Sequence, residues 1–248
     1  MRKVMVELSN ISLNYHTIKG ETEAIKDVSF NVCEGEFVGV IGPSGCGKST
    51  LLSIIAGLLK PSKGSVVVNG KVGYMLQKDH LFEWRNIMQN VLLGLEIQGA
   101  VNENSIKNVE DLLERYGLSD FKYHYPNQIS GGMRQRAALI RTLALKPDIM
   151  LLDEAFSALD YQTRLAISDE VWTILKNVKK TAVIVTHDIS EAIAMCDRIV
   201  VLSNRPAVVK NIYEIHLTCD NRSPIGCRKA PEFKEYFNEI WKELDVHV

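Results

Sequence analysis

The chain has no surplus of charge: 29 Lys and Arg stand against 30 Asp and Glu, a net of −1. It therefore carries no basic excess of the kind that marks nucleic-acid binding, and no nucleic-acid partner is expected. Long hydrophobic runs are also missing. The longest span about six residues, far below the roughly 20 that cross a bilayer. Met1-Arg2-Lys3-Val4-Met5-Val6-Glu7 has no signal-peptide core because Glu7 interrupts it. A cytosolic protein is expected, with any membrane attachment made through partners. Cysteine is sparse and odd in number, five residues at positions 33, 46, 196, 219 and 227. Cys219 and Cys227 flank a loop, 220–226, where a disulfide, a metal clip or two free thiols in a reducing compartment all fit the spacing. Internal repeats and low-complexity segments are absent. What is present is a 248-residue chain, 46% hydrophobic, enough for one large α/β domain or two closely packed lobes.

The most informative stretch is Gly42-Pro43-Ser44-Gly45-Cys46-Gly47-Lys48-Ser49-Thr50, which reads G-x-x-x-x-G-K-S. It follows an apolar run, 37–41, that predicts a buried strand. It precedes 51–58, which predicts a helix ending near Gly57. Glycines let backbone N–H groups curl round an anion without side-chain clashes. The helix start adds unpaired donors and the positive end of its dipole. Lys48 is expected to reach terminal phosphates, Ser49 to hold Mg²⁺ and Thr50 to touch the inner phosphates.

The rest of the chain fits around that loop. Val4, Val6, Leu8, Ile11 and Leu13 alternate with polar residues, predicting one or two strands of a half-exposed sheet, and Ala24 to Val32 predicts another after a polar turn at 16–21. Residues 65–69 and 71–76 read as a strand pair. From about 86 to 146 the spacing is helical, as at Val91, Leu92, Leu95 and Val109, Leu112, Leu113, Tyr116. Apolar runs at 149–152, 182–185 and 199–202, separated by helical segments 162–177 and 189–195, predict a parallel sheet covered by helices. Residues 207–217 read as a closing strand pair, and a loop reaches Pro231. Phe233, Tyr236, Phe237, Ile240 and Trp241 then give a helix that docks on the core. The fold class is α/β: a phosphate-loop core with an N-terminal antiparallel β lobe, about 1–85 and 147–217. The helical insert covers about 86–146, and a C-terminal loop and helix cover 218–248.

Two further constellations carry chemistry. The strand 149–152 delivers Asp153 and Glu154 at its carboxyl end, where open α/β sheets bind ligands. These two either cap the next turn or form a site. In a site, Asp153 holds Mg²⁺ and Glu154 accepts a proton from the attacking water. Ser130-Gly131-Gly132-Met133-Arg134-Gln135 opens a helix with a natural cap followed by two glycines, each costing about 1 kcal/mol against alanine. Close approach of backbone to a phosphate explains that cost better than a plain junction does.

Taken in order, 42–50, 130–135 and 151–154 resemble the nucleotide-binding ATPase of ATP-binding-cassette (ABC) transporters, over about Val6 to Leu217. The resemblance implies that Tyr15 lies against adenine (a core aromatic is the alternative) and that Gln77 senses Mg²⁺ and the attacking water. It implies that Ser157-Ala158-Leu159-Asp160 crosses a dimer interface and that His187 contacts the γ-phosphate. It places Gln135 and Asp160 with Ser130, Gly131 and Gly132 among the nucleotide-binding positions. Met133 departs from the usual Gln, as in the importers this chain most resembles. The resemblance also implies ATP and Mg²⁺ as ligands, a head-to-tail homodimer, two membrane-spanning permease subunits and a solute-binding protein. The seat would be the cytoplasmic face of the membrane. Leu81, Phe82 and Trp84 form an apolar cluster in a polar loop. It is expected to receive a helix of the membrane partner, local packing being the alternative. Residues 77–86 resemble the Q-x-x-x-L-x-x-W stretch of nitrate, sulfonate and taurine importers. A soluble ABC ATPase and a small-molecule kinase are the other readings. The first usually has two cassettes or a coiled-coil insert, and the second has no need of Ser130-Gly131-Gly132, Gln77 and His187 together.

Overall fold

In the computed structural model the chain is described at residues 2–17, 20–157, 159–219 and 222–244. Ile18 and Lys19 of the polar turn, Ala158 of the interface loop, and Asp220 and Asn221 of the C-terminal loop lie outside the described residues.

Two long strands, β1 (Val4–Thr17) and β2 (Gly20–Cys33), pair antiparallel, and their alternation buries Val6, Leu8, Ile11, Val28 and Val32 on one face. Next comes β3 (Phe37–Ile41), buried at every position, and then α1 (Lys48–Ile55), which begins inside the glycine loop. The strand β4 (Lys63–Val68) returns to the free edge of β1 and completes a three-stranded sheet in the order β2-β1-β4.

The next strand, β5 (Val72–Met75), belongs to a different sheet, so the predicted pair 65–69 and 71–76 does not form. The chain changes sheet at Gly70, whose φ is +142° and where a Cβ would lie 2.8 Å from Asp148 Cβ. Lys71 N–H then donates to Asp148 Oδ2 at 2.8 Å, fixing β5 beside the strand that starts at 149. Sequence adjacency suggested a hairpin; the glycine allowed a crossing.

The helical segment holds α2 (Ile87–Ile97), α3 (Glu103–Arg115), two 3₁₀ turns and α4 (Gly131–Leu143). Asn86 and Asn102 each form a capping box at the heads of α2 and α3. The sheet resumes with β6 (Ile149–Asp153), α5 (Tyr161–Asn177), β7 (Thr181–Val185), α6 (Ile189–Met195) and β8 (Arg198–Leu202). Segment 207–217 contains one strand, β9 (Val209–Glu214), antiparallel to β8, in place of the predicted pair. Ala207 instead bridges to Ile25, exchanging hydrogen bonds with Ala24 and Lys26 and tying the two sheets together. A single helical turn, α7 (Pro224–Cys227), capped by Ser223, interrupts the predicted loop before α8 (Pro231–Leu244).

The large sheet runs β5-β6-β7-β3-β8-β9, parallel except for β9. Its four inner strands, β6, β7, β3 and β8, read as continuous apolar runs because both faces are covered. Phe37, Ile41, Met150, Leu152, Ala182 and Ile184 pack with the helical segment, α5 and α6. Val38, Val40, Ile149, Leu151, Val183 and Val185 pack with α1 and the three-stranded sheet. The carboxyl ends of β3, β6 and β7 therefore meet at one edge, and the chemistry-bearing residues sit there.

Candidate active site

The glycine loop is held in shape by what surrounds it. A Cβ at Gly42 would lie 2.9 Å from Cys46 Sγ and 3.1 Å from both Leu202 Cβ and the Leu202 carbonyl oxygen. Gly47, at φ +127°, begins α1 with no side-chain cap, so the first N–H groups of that helix point into the loop. Lys48 is only 5% exposed and donates from Nζ to the carbonyls of Gly42 (2.8 Å) and Pro43 (3.0 Å). Ser44, Gly45 and Ser49 are open to solvent, while Pro43 and Thr50 are partly covered. A concave ring of backbone donors with a buried ammonium beneath it is a receptor for a polyphosphate. Tyr15 is partly exposed, and its hydroxyl meets Thr50 Oγ1 at 3.1 Å, which ties the β1–β2 sheet to the rim of that ring.

The strand β6 delivers the carboxylates. Ser49 donates to Asp153 Oδ1 at 3.0 Å and Tyr74 to Asp153 Oδ2 at 3.1 Å. Burial pushes the Asp153 carboxyl up from its usual range, and the bonds from Ser49 and Tyr74 pull it back. Burial, and then the Asp153 charge, push Tyr74 up to about 12, so it stays a donor. Two hard oxygens, one from a hydroxyl and one from a carboxylate, fit Mg²⁺, which takes few protein ligands and completes its shell with phosphate and water. Among the described residues no group of three or more His, Cys, Asp and Glu side chains is arranged to bind a metal.

Glu154 departs from the strand at φ +44°, a conformation unusual for a residue with a side chain. Its N–H donates to the Val185 carbonyl (2.8 Å), and its own carbonyl accepts from Ser157 N (3.0 Å) and Oγ (2.9 Å). That backbone aims the carboxylate at two partners: Gln77 Nε2 donates to Oε2 at 3.0 Å, and His187 Nδ1 lies 3.3 Å from the same oxygen. A base, a polar amide and an imidazole thus converge beside the phosphate loop.

The structure does not bring every expected residue to that point. Ser130 caps α4 by accepting from Met133 N at 3.3 Å. Gly132 packs against α5, where a Cβ would lie 3.3 Å from Thr163 Cγ2, and a Cβ on Gly131 would lie 4.0 Å from Leu159 Cδ2. Among the described residues no hydrogen bond joins Ser130, Gly131 or Gly132 to the phosphate loop. Gln135 points inward: it is 5% exposed and donates to the Ala155 carbonyl, so it braces α4 against the loop after β6 and does not share the surface of Ser130. Asp160 caps α5 through Thr163 N at 3.1 Å, and the Thr163 hydrogen bonds hold its carboxyl below the usual range. Leu81 is 7% exposed and part of the core, so it leaves the proposed docking cluster, whereas Trp84 is 73% exposed and stacks on Phe82 at 4.8 Å. Cys219 and Cys227 are free thiols with sulfurs 2.9 Å apart.

Several residues of the site carried no local signal. Asp79 accepts from Arg134 Nε at 3.1 Å, and Arg141 donates to the carbonyls of Asp79 (2.6 Å) and His80 (2.8 Å), locking the loop after Gln77 onto α4. Arg205 Nη2 donates to the Gly45 carbonyl at 2.6 Å. Each arginine acts across 55 or more residues of chain, which no spacing reveals. Tyr74 is within reach of the sequence, being the last aromatic before Gln77, which lies two residues past the end of β5. The tip of α8 also arrives unannounced: Trp241 and Leu244, with Ile189, His187, Gly42, Pro43 and Ser44, line a cavity of about 280 Å³.

The sequence profile of the ABC transporter family matches residues 25–157. An uncharacterised ABC transporter ATP-binding protein of Bacillus subtilis, YtlC, is 47% identical over 97% of this chain and 95% of its own. The taurine import ATP-binding protein TauB of Roseobacter denitrificans is 36% identical over 95% of this chain and 94% of its own. Among solved structures, the dimeric bacterial ABC transporter cassette MJ0796 superposes with a TM-score of 0.76 at 34% identity, covering 86% of this chain and 99% of that one.

Proposed function

This chain belongs to the ABC transporter family as an ATP-binding ATPase subunit, and from that premise we propose that it is the motor of an importer for a small anion, such as taurine, another sulfonate or nitrate. In this reading it works as a head-to-tail homodimer at the cytoplasmic face of the membrane, beneath two permease subunits and served by a solute-binding protein. The taurine import relative supports the import role and the solute class. The dimeric cassette supports the dimer. No helix of the described residues is long and apolar enough to cross a membrane, which suits a subunit that works through partners.

One observation carries the reading. The groups that would bind and cleave ATP converge at one sheet edge, while Ser130-Gly131-Gly132 stands at the head of α4 with no hydrogen bond to them among the described residues. A second copy, turned about a two-fold axis, supplies the missing face. Each copy's phosphate loop then holds ATP, and the other's Ser130, Gly131 and Gly132 cover its γ-phosphate. Lys48 binds the terminal phosphates. Ser49 and Asp153 hold Mg²⁺, with Gln77 beside them. The ion, when bound, offsets phosphate charge. Glu154 takes the proton of the attacking water, and His187 orients Glu154 and meets the γ-phosphate. Tyr15 stacks on adenine, and Asp160 sits at the seam between copies. Residues 86–146 act as the lobe that carries Ser130, and Phe82 with Trp84 faces the permease.

The test is Glu154→Gln with ATP and Mg²⁺ in size-exclusion chromatography with light scattering. It should shift from monomer to dimer and hydrolyse ATP at least ~100-fold more slowly than wild type. A monomer with full turnover would refute the reading. Affinity capture from detergent-solubilised membranes should bring down a multi-span protein.

A further inference from the structure

Behind His187 lies a cluster that the roles above do not use. The α5 residue Arg164 places Nη2 3.1 Å from the carbonyl oxygen of Leu159, and Nη1 3.6 Å from Asp188 Oδ2. Leu159 belongs to the loop that ends at Asp160. Asp188 follows His187 directly, and its other oxygen caps α6 by accepting from Glu191 N at 3.1 Å. The Asp188 N–H in turn donates to Thr186 Oγ1 at 3.1 Å. One guanidinium therefore grips the loop on one side and the turn bearing His187 on the other. His187 Nδ1 is 3.3 Å from the Glu154 carboxylate, and the peptide bond between His187 and Asp188 joins that pair to the Arg164 bridge.

Arg164 Nε and Glu191 Oε1 are both buried with no hydrogen-bond partner. A buried polar atom without a partner is costly. The Arg164 guanidinium stands where both acceptors, the Leu159 carbonyl and the Asp188 carboxylate, are within its reach. A planar fork can bridge a carbonyl and a carboxylate in fixed relative geometry, which a lysine ammonium cannot. The charged and titratable groups facing it are Asp188 and Glu191 of the α6 start and His187, whose own partner is Glu154 at the end of β6.

We propose that Arg164 is a positioning residue for hydrolysis: by clamping the Leu159 carbonyl to Asp188, it makes the orientation of His187 against Glu154 depend on the position of Leu159 and Asp160. The inference rests on the hydrolytic roles given above to Glu154 and His187. If the loop lies at the seam between two copies, a second copy seated on it sets the hydrolytic pair of the first.

The test is a double-mutant cycle on steady-state ATP hydrolysis by the purified full chain. Arg164→Ala should lower kcat roughly ten-fold, leave KM for ATP within about two-fold, and cost less than about two-fold more when His187 is already Ala. Arg164→Lys should fall between Ala and wild type. Asp188→Asn, which keeps the α6 cap but removes the charge, should reproduce the Arg164→Ala loss and carries the test if that variant does not fold. A loss additive with His187→Ala, a rise in KM that accounts for it, or wild-type turnover in both Arg164→Ala and Asp188→Asn overturns the proposal. Glu154→Gln, run alongside, separates the two readings. Its inactivity beside a fully active Arg164→Ala overturns the clamp alone, whereas an active Glu154→Gln overturns the hydrolytic assignment and the clamp with it.

Discussion

Replacing Glu191 by Gln should free the protein of a pH-dependent loss of stability. Glu191 lies in the first turn of α6, is 5% exposed and leaves one carboxylate oxygen without a partner. Burial raises its pKa from 4.5 to about 7. The Asp188 charge adds to this, while Thr186, Arg164 and His187 oppose it. Because the folded value lies above the unfolded one, the folded state holds the proton more tightly. The associated stability is complete below the unfolded value of 4.5 and is lost as pH rises through about 7. Integrated from about pH 5 to about pH 8, that loss is about 2 to 3 kcal/mol. Gln has the same shape and stays neutral, so the variant escapes it. The unfolding free energy of Glu191→Gln relative to wild type should therefore climb by ~2–3 kcal/mol across that range, roughly 4–10 °C in Tm for a chain of this size. Urea denaturation at several pH values measures it. Two curves that stay parallel with pH would refute the argument, because a group that does not change its proton binding on folding contributes no slope.

Three other outcomes follow from the geometry. Lys48→Ala removes the buried ammonium and should weaken ATP binding by about 2–3 kcal/mol, near 100-fold, read by titration calorimetry. Gly42→Ala places a methyl 3.1 Å from the Leu202 carbonyl. The loop must shift, so ATP affinity should drop about ten-fold while Tm moves by only a few degrees. The double variant Phe82→Ala and Trp84→Ala removes a stacked, exposed pair without touching Leu81. It should keep ATP affinity and soluble turnover within about two-fold yet lose co-purification with the membrane partner, and unchanged co-purification would exclude this docking surface.

Much of the core was legible because its signals are local. Burial on both faces writes itself as uninterrupted apolar runs, so β3, β6, β7 and β8 stood out at 37–41, 149–152, 182–185 and 199–202. The helix 189–195 and the docking helix after Pro231 announced themselves by spacing and by Ile240, which is fully buried. Strand partners were another matter. Residues 65–69 and 71–76 read as a strand pair because strands adjacent in sequence usually lie beside each other. The decision belonged to Asp148, far along the chain, which captures Lys71 N–H. The site divided in the same way. Gly42 to Thr50, Asp153 and Glu154 could be read from motif and context. The inward turn of Gln135, the Tyr74 bond to Asp153 and the arginine ties could not, because their partners are chosen by the fold.

Those ties give the molecule its mechanical character. Gln77 touches Glu154, and the loop that follows it is bound to α4 twice, by Arg134 through the Asp79 side chain and by Arg141 through two carbonyls. The same loop carries Phe82 and Trp84, whose backbone is knitted to α2 by the buried Asn90, which accepts from Phe82 N and donates to the carbonyls of Phe82, Arg85 and Asn86. Gln135 then fixes α4 to the Ala155 carbonyl, one residue past Glu154. The exposed aromatic pair, the body of α4 and the Glu154 carboxylate are thus joined by one set of hydrogen bonds. An exposed aromatic pair and the Glu154 carboxylate can be remote from each other and still act together through such a frame, which in this chain is built from the side chains of Gln77, Asp79, Asn90, Arg134, Gln135 and Arg141.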